Sequence, residues 1–269
     1  MEIAENFGTT VLAAWEGRLE FAELIDYTTR LESTGLSPLA AVLYQTWLSR
    51  TQSPYAHAVN FNLGATLSNL GDLVGAEAAY RRALAMLPVF AQPRLNLGLL
   101  LERTGQMDAA MAEWKWIVAN CPRDEATKPL VQLALNHLGR VAEGRKQFPD
   151  ADAWLIQSLL LEPNQPDVLH HWVFLRQKQC AWPVYADVPG VSKEAMREAT
   201  SALAMLSISD DPKEQLHAAE QFVATKLAKD LPHLTDGRSY GHRKLRIAYC
   251  SSDFCLHPVS LLTVEMFEL

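Results

Sequence analysis

Asn62 and Asn96 lie 34 residues apart, and each immediately precedes a Leu-Gly pair. A carboxamide donates and accepts hydrogen bonds at once. Two of them on one repeating surface would grip an extended peptide backbone without reading its side chains. The alternative is that they cap or hydrate their helices. Where the pattern next returns the chain has Asn136-His137, so a ladder of amides bends or stops there. Three other groupings invite chemistry and do not carry it. Asp210-Asp211 precedes Pro212, and an aspartate N-cap followed by proline at the first helical position accounts for the pair better than a metal does. His170 and His171 are adjacent, and successive helix residues point different ways, which excludes joint ligation. Cys121, Cys180, Cys250 and Cys255 form no C-x-x-C pair and have no histidine at zinc spacing, so free thiols and no metal are expected.

The elements that position the two asparagines repeat. Asn60-x-x-Leu63-Gly64-x-x-Leu67 is followed by Ala76, Tyr80, Ala83 and Pro88. The same order returns as Leu97-Gly98-x-x-Leu101, Ala110, Trp114 and Pro122. Seven extra residues precede the third copy, Leu138-Gly139-x-x-Ala142, Ala151, Leu155 and Pro163. Glycine inside a helix costs about 1 kcal/mol against alanine, so close approach of a second helix must offset it. The small Ala76 and Ala110 are suited to facing those glycines. Gly71-Asp72 and Gly105-Gln106 supply the turn between helices, and the three prolines stop the second helix. Period and signature resemble the tetratricopeptide repeat (TPR). Such helix pairs stack into a superhelix whose first helices line the concave face, which places Asn62 and Asn96 there. The insertion, residues 123–129, is polar and bounded by proline, as a surface loop is.

The chain has 269 residues, 49% of them hydrophobic, enough for a sizeable core and two domains. No apolar run approaches the roughly 18 residues of a membrane span. Met1 to Asn6 is acidic and leads into no apolar signal region, so a cytoplasmic location is expected. A net charge of −7 argues against a nucleic-acid partner. Residues 1–54 read as an atypical capping repeat with its turn at Trp15-Glu16-Gly17-Arg18, Ala22 five residues on, and Thr9-Thr10 in place of Leu-Gly. After Pro163 one helix carries Leu169, Trp172, Val173 and Leu175. Further helices are expected from Lys193 to about Leu206 and from Pro212 to about Lys229. Residues 231–243 form a polar linker. Lys244 to Ser251 alternates and is rich in β-formers, so a strand is expected, then a loop, then a helix from Val259. Strand, polar loop and helix are how a doubly wound sheet begins.

Three segments carry a further resemblance. They are Arg176 to Pro183 with Cys180-x-Trp182, Leu206-Ser207-Ile208-Ser209-Asp210-Asp211-Pro212, and Leu245 to Ser260 with its Ser251-Ser252-Asp253-Phe254-x-x-His257-Pro258 core. Together with the repeats they resemble bacterial members of the O-GlcNAc transferase (SPINDLY) family. The resemblance implies N-terminal repeats that present a polypeptide acceptor to a two-lobed glycosyltransferase. That enzyme moves N-acetylglucosamine, or another sugar, from a UDP-sugar to protein side chains. His257 matches the active-site histidine of the motif, and a neutral imidazole can take a hydroxyl proton near pH 7. Leu261 departs from the longer animal members, which have a second histidine there, and Cys255-Leu256 fill the variable pair. The family needs no metal or cofactor. Its second lobe, which supplies most of the nucleotide site, has no counterpart in these residues, so the chain is expected to hold only the start of the catalytic domain and to be inactive alone.

The expected fold is thus mainly α. A TPR superhelix spans residues 1–180, with its clearest repeats at 57–90, 91–124 and 132–165. A helical connector follows over 181–243, and 244–269 begin the first lobe of a glycosyltransferase-B-type α/β domain. The expected partners are a protein or peptide acceptor and, in the full-length relative, a UDP-sugar. The rival function is a non-catalytic TPR scaffold for protein–protein interaction.

Overall fold

The computed structural model describes residues 6–226, 241, 243–244 and 246–268. The described residues form fourteen helices and no strand ladder. The chain divides into two compact units, Met1–Lys226 and Leu227–Leu269. In the first unit the helices are α1 (Phe7–Trp15), α2 (Phe21–Ser33), α3 (Ser37–Arg50), α4 (Ala56–Asn69), α5 (Leu73–Met86), α6 (Ala91–Arg103) and α7 (Met107–Asn120). They continue as α8 (Lys128–Gly144), α9 (Phe148–Leu161), α10 (Pro166–Lys178), α11 (Lys193–Ala199), α12 (Ala202–Ile208) and α13 (Pro212–Lys226). From α2 to α11 each helix packs mainly on its neighbours in the chain, which is solenoid packing.

One C-cap recurs along this unit. The residue after the last helical turn takes positive φ at Gly35 (+77°), Gly71 (+86°) and Gly105 (+79°). The next amide then reaches back to close the motif, as Leu36 N to Leu31 O at 2.8 Å, Asp72 N to Leu67 O at 2.9 Å and Gln106 N to Leu101 O at 2.8 Å. Two later helices end the same way without glycine. Lys146 (φ 61°) closes α8 through Gln147 N to Ala142 O at 2.9 Å, and Cys180 (φ 52°) closes α10 through Ala181 N to Arg176 O at 2.8 Å. A left-handed conformation costs an L-residue about 1–2 kcal/mol, and glycine gives back roughly 0.5–1 kcal/mol through unfolded-chain entropy. Lys146→Gly is therefore expected to stabilise the protein by about 0.5–1 kcal/mol, while Gly105→Ala destabilises it. Urea unfolding checks both. A midpoint for Lys146→Gly at or below that of the parent chain would refute the shared cap.

The helical glycines face larger groups than the spacing suggested. A Cβ on Gly64 would lie 2.6 Å from the Tyr80 ring, one on Gly98 2.2 Å from Trp114 Nε1, and one on Gly139 2.3 Å from Leu155 Cδ2. Ala76 and Ala110 are fully buried, but the residue four positions later fills the groove over each glycine. The first repeat also differs from expectation. Gly17 does make a cap after α1 (φ +70°), yet the helix pair in register with the later repeats is α2/α3. There Ala40 and Tyr44 follow Gly35 at the offsets at which Ala76 and Tyr80 follow Gly71. Thr28 takes the place of Gly64; its hydroxyl donates to Leu24 O at 2.8 Å and lies near the Tyr44 hydroxyl. A small residue with a hydroxyl therefore does in the first pair what glycine does in the second. Trp47, Trp114 and Trp172 anchor the core, and the indole N–H groups of Trp47 and Trp114 donate to Leu19 O (2.8 Å) and Leu95 O (3.3 Å).

The single helix expected from Lys193 to Leu206 is two helices. Thr200 is extended (ψ 126°), and the Ser201 hydroxyl accepts the Ala204 N–H at 3.2 Å, so a new N-cap interrupts the first helix. Asp211 accepts the Lys213 N–H at 2.9 Å ahead of α13, as expected of a cap. The linker expected at 231–243 lies almost wholly outside the described residues.

In the second unit, residues 246–250 adopt no regular secondary structure and join no ladder among the described residues, and α14 spans Pro258–Glu268. The strand–helix unit of a glycosyltransferase lobe is thus not formed by the described residues. A strand takes its stability from paired neighbours, which one β-rich stretch cannot supply for itself. The segment packs instead through aromatic edges, Tyr249 against Phe267 at 4.8 Å and Phe254 against Phe267 at 5.7 Å. No described helix is long and apolar enough to cross a membrane.

Candidate functional site

Asn62 lies on α4 and Asn96 on α6, both first helices of their pairs, and both are half-buried. Each is tied to a buried tyrosine on the second helix of the preceding pair. Asn62 lies near enough to the Tyr44 hydroxyl to favour its ionised form slightly, and Asn96 Nδ2 donates to Tyr80 Oη at 3.4 Å. Burial pushes both phenols above their ordinary value, so both are neutral near pH 7. The tyrosine uses only part of the amide. The oxygen and second N–H of Asn96 have no protein partner among the described residues. They sit beside a hollow of about 340 Å³ between α4 and α6, whose wall includes Ala65, Ser68, Tyr80, Asn96 and Leu99.

The row does not stop at the insertion. His137 precedes Leu138-Gly139 as Asn62 precedes Leu63-Gly64, and its ring stacks on Trp114, which stands in the place of Tyr80, at 5.0 Å and 23°. A fourth position follows at His171, 34 residues beyond His137, with Nδ1 2.9 Å from Glu143 Oε2. Asn136, the amide that might have continued the ladder, turns away and donates to Gln165 Oε1 at 2.9 Å. Sequence reasoning reached Asn136-His137 at this register but assigned neither His137 nor His171 to the row. The signal for His171 is the 34-residue step from His137. Charge also enters at these rungs. Glu102 pairs with Arg140 at 2.6 Å, and Glu143 lies 3.7 Å from Lys178 Nζ.

Burial holds the His137 pKa below the ordinary histidine value; the Arg140 guanidinium lowers it further and Glu102 partly opposes this. The unfolded chain binds that proton near pH 6.5, and the folded chain binds it only at lower pH. Stability therefore rises with pH through this window and is lost as pH falls below about 6.5. His137→Gln, which cannot titrate, is expected to flatten the fall in melting temperature between pH 7 and pH 5. Thermal melts across that range check it, and an unchanged slope would refute the assignment.

His257 belongs to the second compact unit. Its Nδ1 accepts the Val259 N–H at 3.2 Å, so the side chain caps the first turn of α14, and the neutral ring carries its proton on Nε2. The Ser260 hydroxyl closes the same loop by donating to Asp253 O. The cysteines are free thiols, and no group of three metal-binding side chains occurs among the described residues.

The sequence profile of the tetratricopeptide repeat matches residues 57–88, the α4/α5 pair that carries Asn62. Two solved structures are similar in fold. PilF of Pseudomonas aeruginosa is 16% identical, with 83% of this chain and 92% of that one covered and a TM-score of 0.53. YrrB, described as a TPR protein with an unusual peptide-binding site, is 15% identical, with 78% and 97% covered and a TM-score of 0.51. No curated protein matches the sequence. The matched profile concerns the repeat alone and gives no support to glycosyl transfer. The chain thus carries a tetratricopeptide repeat at residues 57–88 within a mainly helical superhelix.

Proposed function

We propose that the superhelix binds an extended polypeptide along the face of its first helices, with Asn62 and Asn96 contacting the peptide main chain. The observation that carries this reading is the anchored amide. Tyr80 fixes the Asn96 carboxamide while leaving its oxygen and one N–H unpaired beside an open hollow. A fixed donor–acceptor pair matches the donor–acceptor alternation of an extended backbone, and it loses little side-chain entropy on binding. Peptide binding by the similar YrrB supports the same use of the fold. Calorimetric titration with an unfolded polypeptide, before and after both amides are removed, tests it.

The Ser251–Pro258 motif favours a second reading, in which the repeats present the acceptor to a glycosyltransferase of the O-GlcNAc transferase type that uses a UDP-sugar. His257 would then take the acceptor hydroxyl proton. In the neutral tautomer its basic nitrogen is Nδ1, which the Val259 N–H occupies, so this role requires the first turn of α14 to release it. Titration with UDP-N-acetylglucosamine tests this reading in one direction. Saturable binding below millimolar concentration favours the transferase, whereas its absence is expected of both readings, because these residues have no counterpart of the second lobe. α/β sequence continuing downstream in the gene would favour the transferase.

A further inference from the structure

A second site lies on another side of α4. Asn60 is two residues from Asn62, so its side chain points nearly the opposite way around the helix. It is 1% exposed, and its Oδ1 accepts the Nε–H of Arg82 at 3.0 Å. Arg82 has no carboxylate within ion-pair distance among the described residues. Its guanidinium borders a cleft of about 850 Å³ between the α3–α4 loop and the ends of α3 and α5. No Asp or Glu lines this cleft. Thr51 lines it too, and the buried Thr51 hydroxyl has no hydrogen-bond partner. The amides of Gln45 and Gln52 complete a wall rich in donors.

The next helix pair shows what is missing. Arg94 stands 34 residues after Asn60 and Trp116 stands 34 after Arg82. There the guanidinium pairs with Glu113 at 2.7 Å and stacks on the Trp116 ring at 3.9 Å. That pair therefore occupies the terminal nitrogens of its own arginine with an internal carboxylate and the Pro88 carbonyl, and fills the space with an indole. The α4/α5 pair keeps an arginine, oriented by a buried amide, and lacks both the carboxylate and the ring. We infer that this cleft binds a carboxylate-bearing ligand, whose carboxylate takes, on Arg82, the place that Glu113 takes on Arg94. With Nε held by Asn60, the two terminal nitrogens of the fork are free to bind a carboxylate. The inference does not depend on polypeptide binding at Asn62 and Asn96.

The carboxylate has two sources, a small organic acid or the C-terminus of a peptide, and three probes separate them. The full chain, labelled with ¹⁵N, is titrated with glutarate, with an acetylated pentapeptide of neutral residues ending in a free carboxylate, and with the amidated form of that peptide. Saturable movement of the Arg82 Nε–H resonance with glutarate, with the free-acid peptide or with both, and none with the amidated peptide, is the expected result. Arg82→Gln should weaken that binding by about tenfold or more, because a charge-assisted pair is lost. Arg82→Lys should also weaken it, since a point charge cannot replace the fork. Circular dichroism confirms that each variant is folded. Equal response to the free-acid and amidated peptides, no saturable response to any probe, or undiminished binding in both Arg82 variants would overturn the site.

Discussion

Trp114→Ala is expected to destabilise the protein by about 3–5 kcal/mol, and Gly98→Ala should change from harmful to helpful in that background. Trp114 is fully buried, and its indole lies over Gly98 so closely that a Cβ there would sit 2.2 Å from Nε1. In the parent chain Gly98→Ala improves helix propensity by about 1 kcal/mol, but it drives a methyl into a ring held on one edge by Leu95 O and on one face by His137. Overpacking of this kind costs about 1–3 kcal/mol, so a net loss is expected. With Trp114 removed the same methyl enters the cavity left behind, and both propensity and packing favour it. The four chains form a double-mutant cycle measured by denaturant unfolding, with a coupling of about 2–3 kcal/mol between neighbours in contact. If Gly98→Ala has the same effect in both backgrounds, the glycine is not there to admit the indole.

That contact also explains which parts of the fold could be read from sequence. The three clear repeats were legible because glycine, the large residue sixteen positions later and the closing proline are each forced by one packing problem. The first repeat was placed in the wrong register because Thr28, whose hydroxyl folds back onto its own helix, stands beside Tyr44 where the later repeats have glycine. A hydroxyl and a missing side chain have little in common on the page. The caps at Lys146 and Cys180 were hidden for a similar reason, since neither residue favours the left-handed conformation it adopts. The strand expected from Lys244 to Ser251 is not formed among the described residues, because β-propensity reports a fit to a sheet and these residues supply no paired strand. At the site, Asn62 and Asn96 stood out by their period. Their tyrosine anchors did not, because they come from the preceding helix pair. His137 stood at the register once the seven inserted residues were counted, but an imidazole does not extend a row of amides, and His171 is followed by Trp172-Val173 in place of Leu-Gly.

The anchors also set the size of the effect expected when the amides are removed. Each carboxamide that pairs with peptide backbone contributes about 0.5–1.5 kcal/mol. Asn62→Ala with Asn96→Ala is therefore expected to weaken capture of an unfolded polypeptide by about 5- to 150-fold at 25 °C. Tyr80→Phe should weaken it less, because the Asn96 amide remains and loses only the bond that orients it. Asn96→Asp keeps an acceptor and gives up both donors, so it should fall between wild type and alanine if the peptide uses both halves of the amide. His257→Ala should leave capture unchanged, because that side chain caps α14 in the other compact unit. Calorimetry with one unfolded polypeptide compares all of these variants. Affinity that ignores the double alanine variant would remove the ladder from the binding face. A loss equal in Tyr80→Phe and Asn96→Ala would assign the effect to the orientation of the amide, with binding governed by how firmly the preceding helix pair holds it.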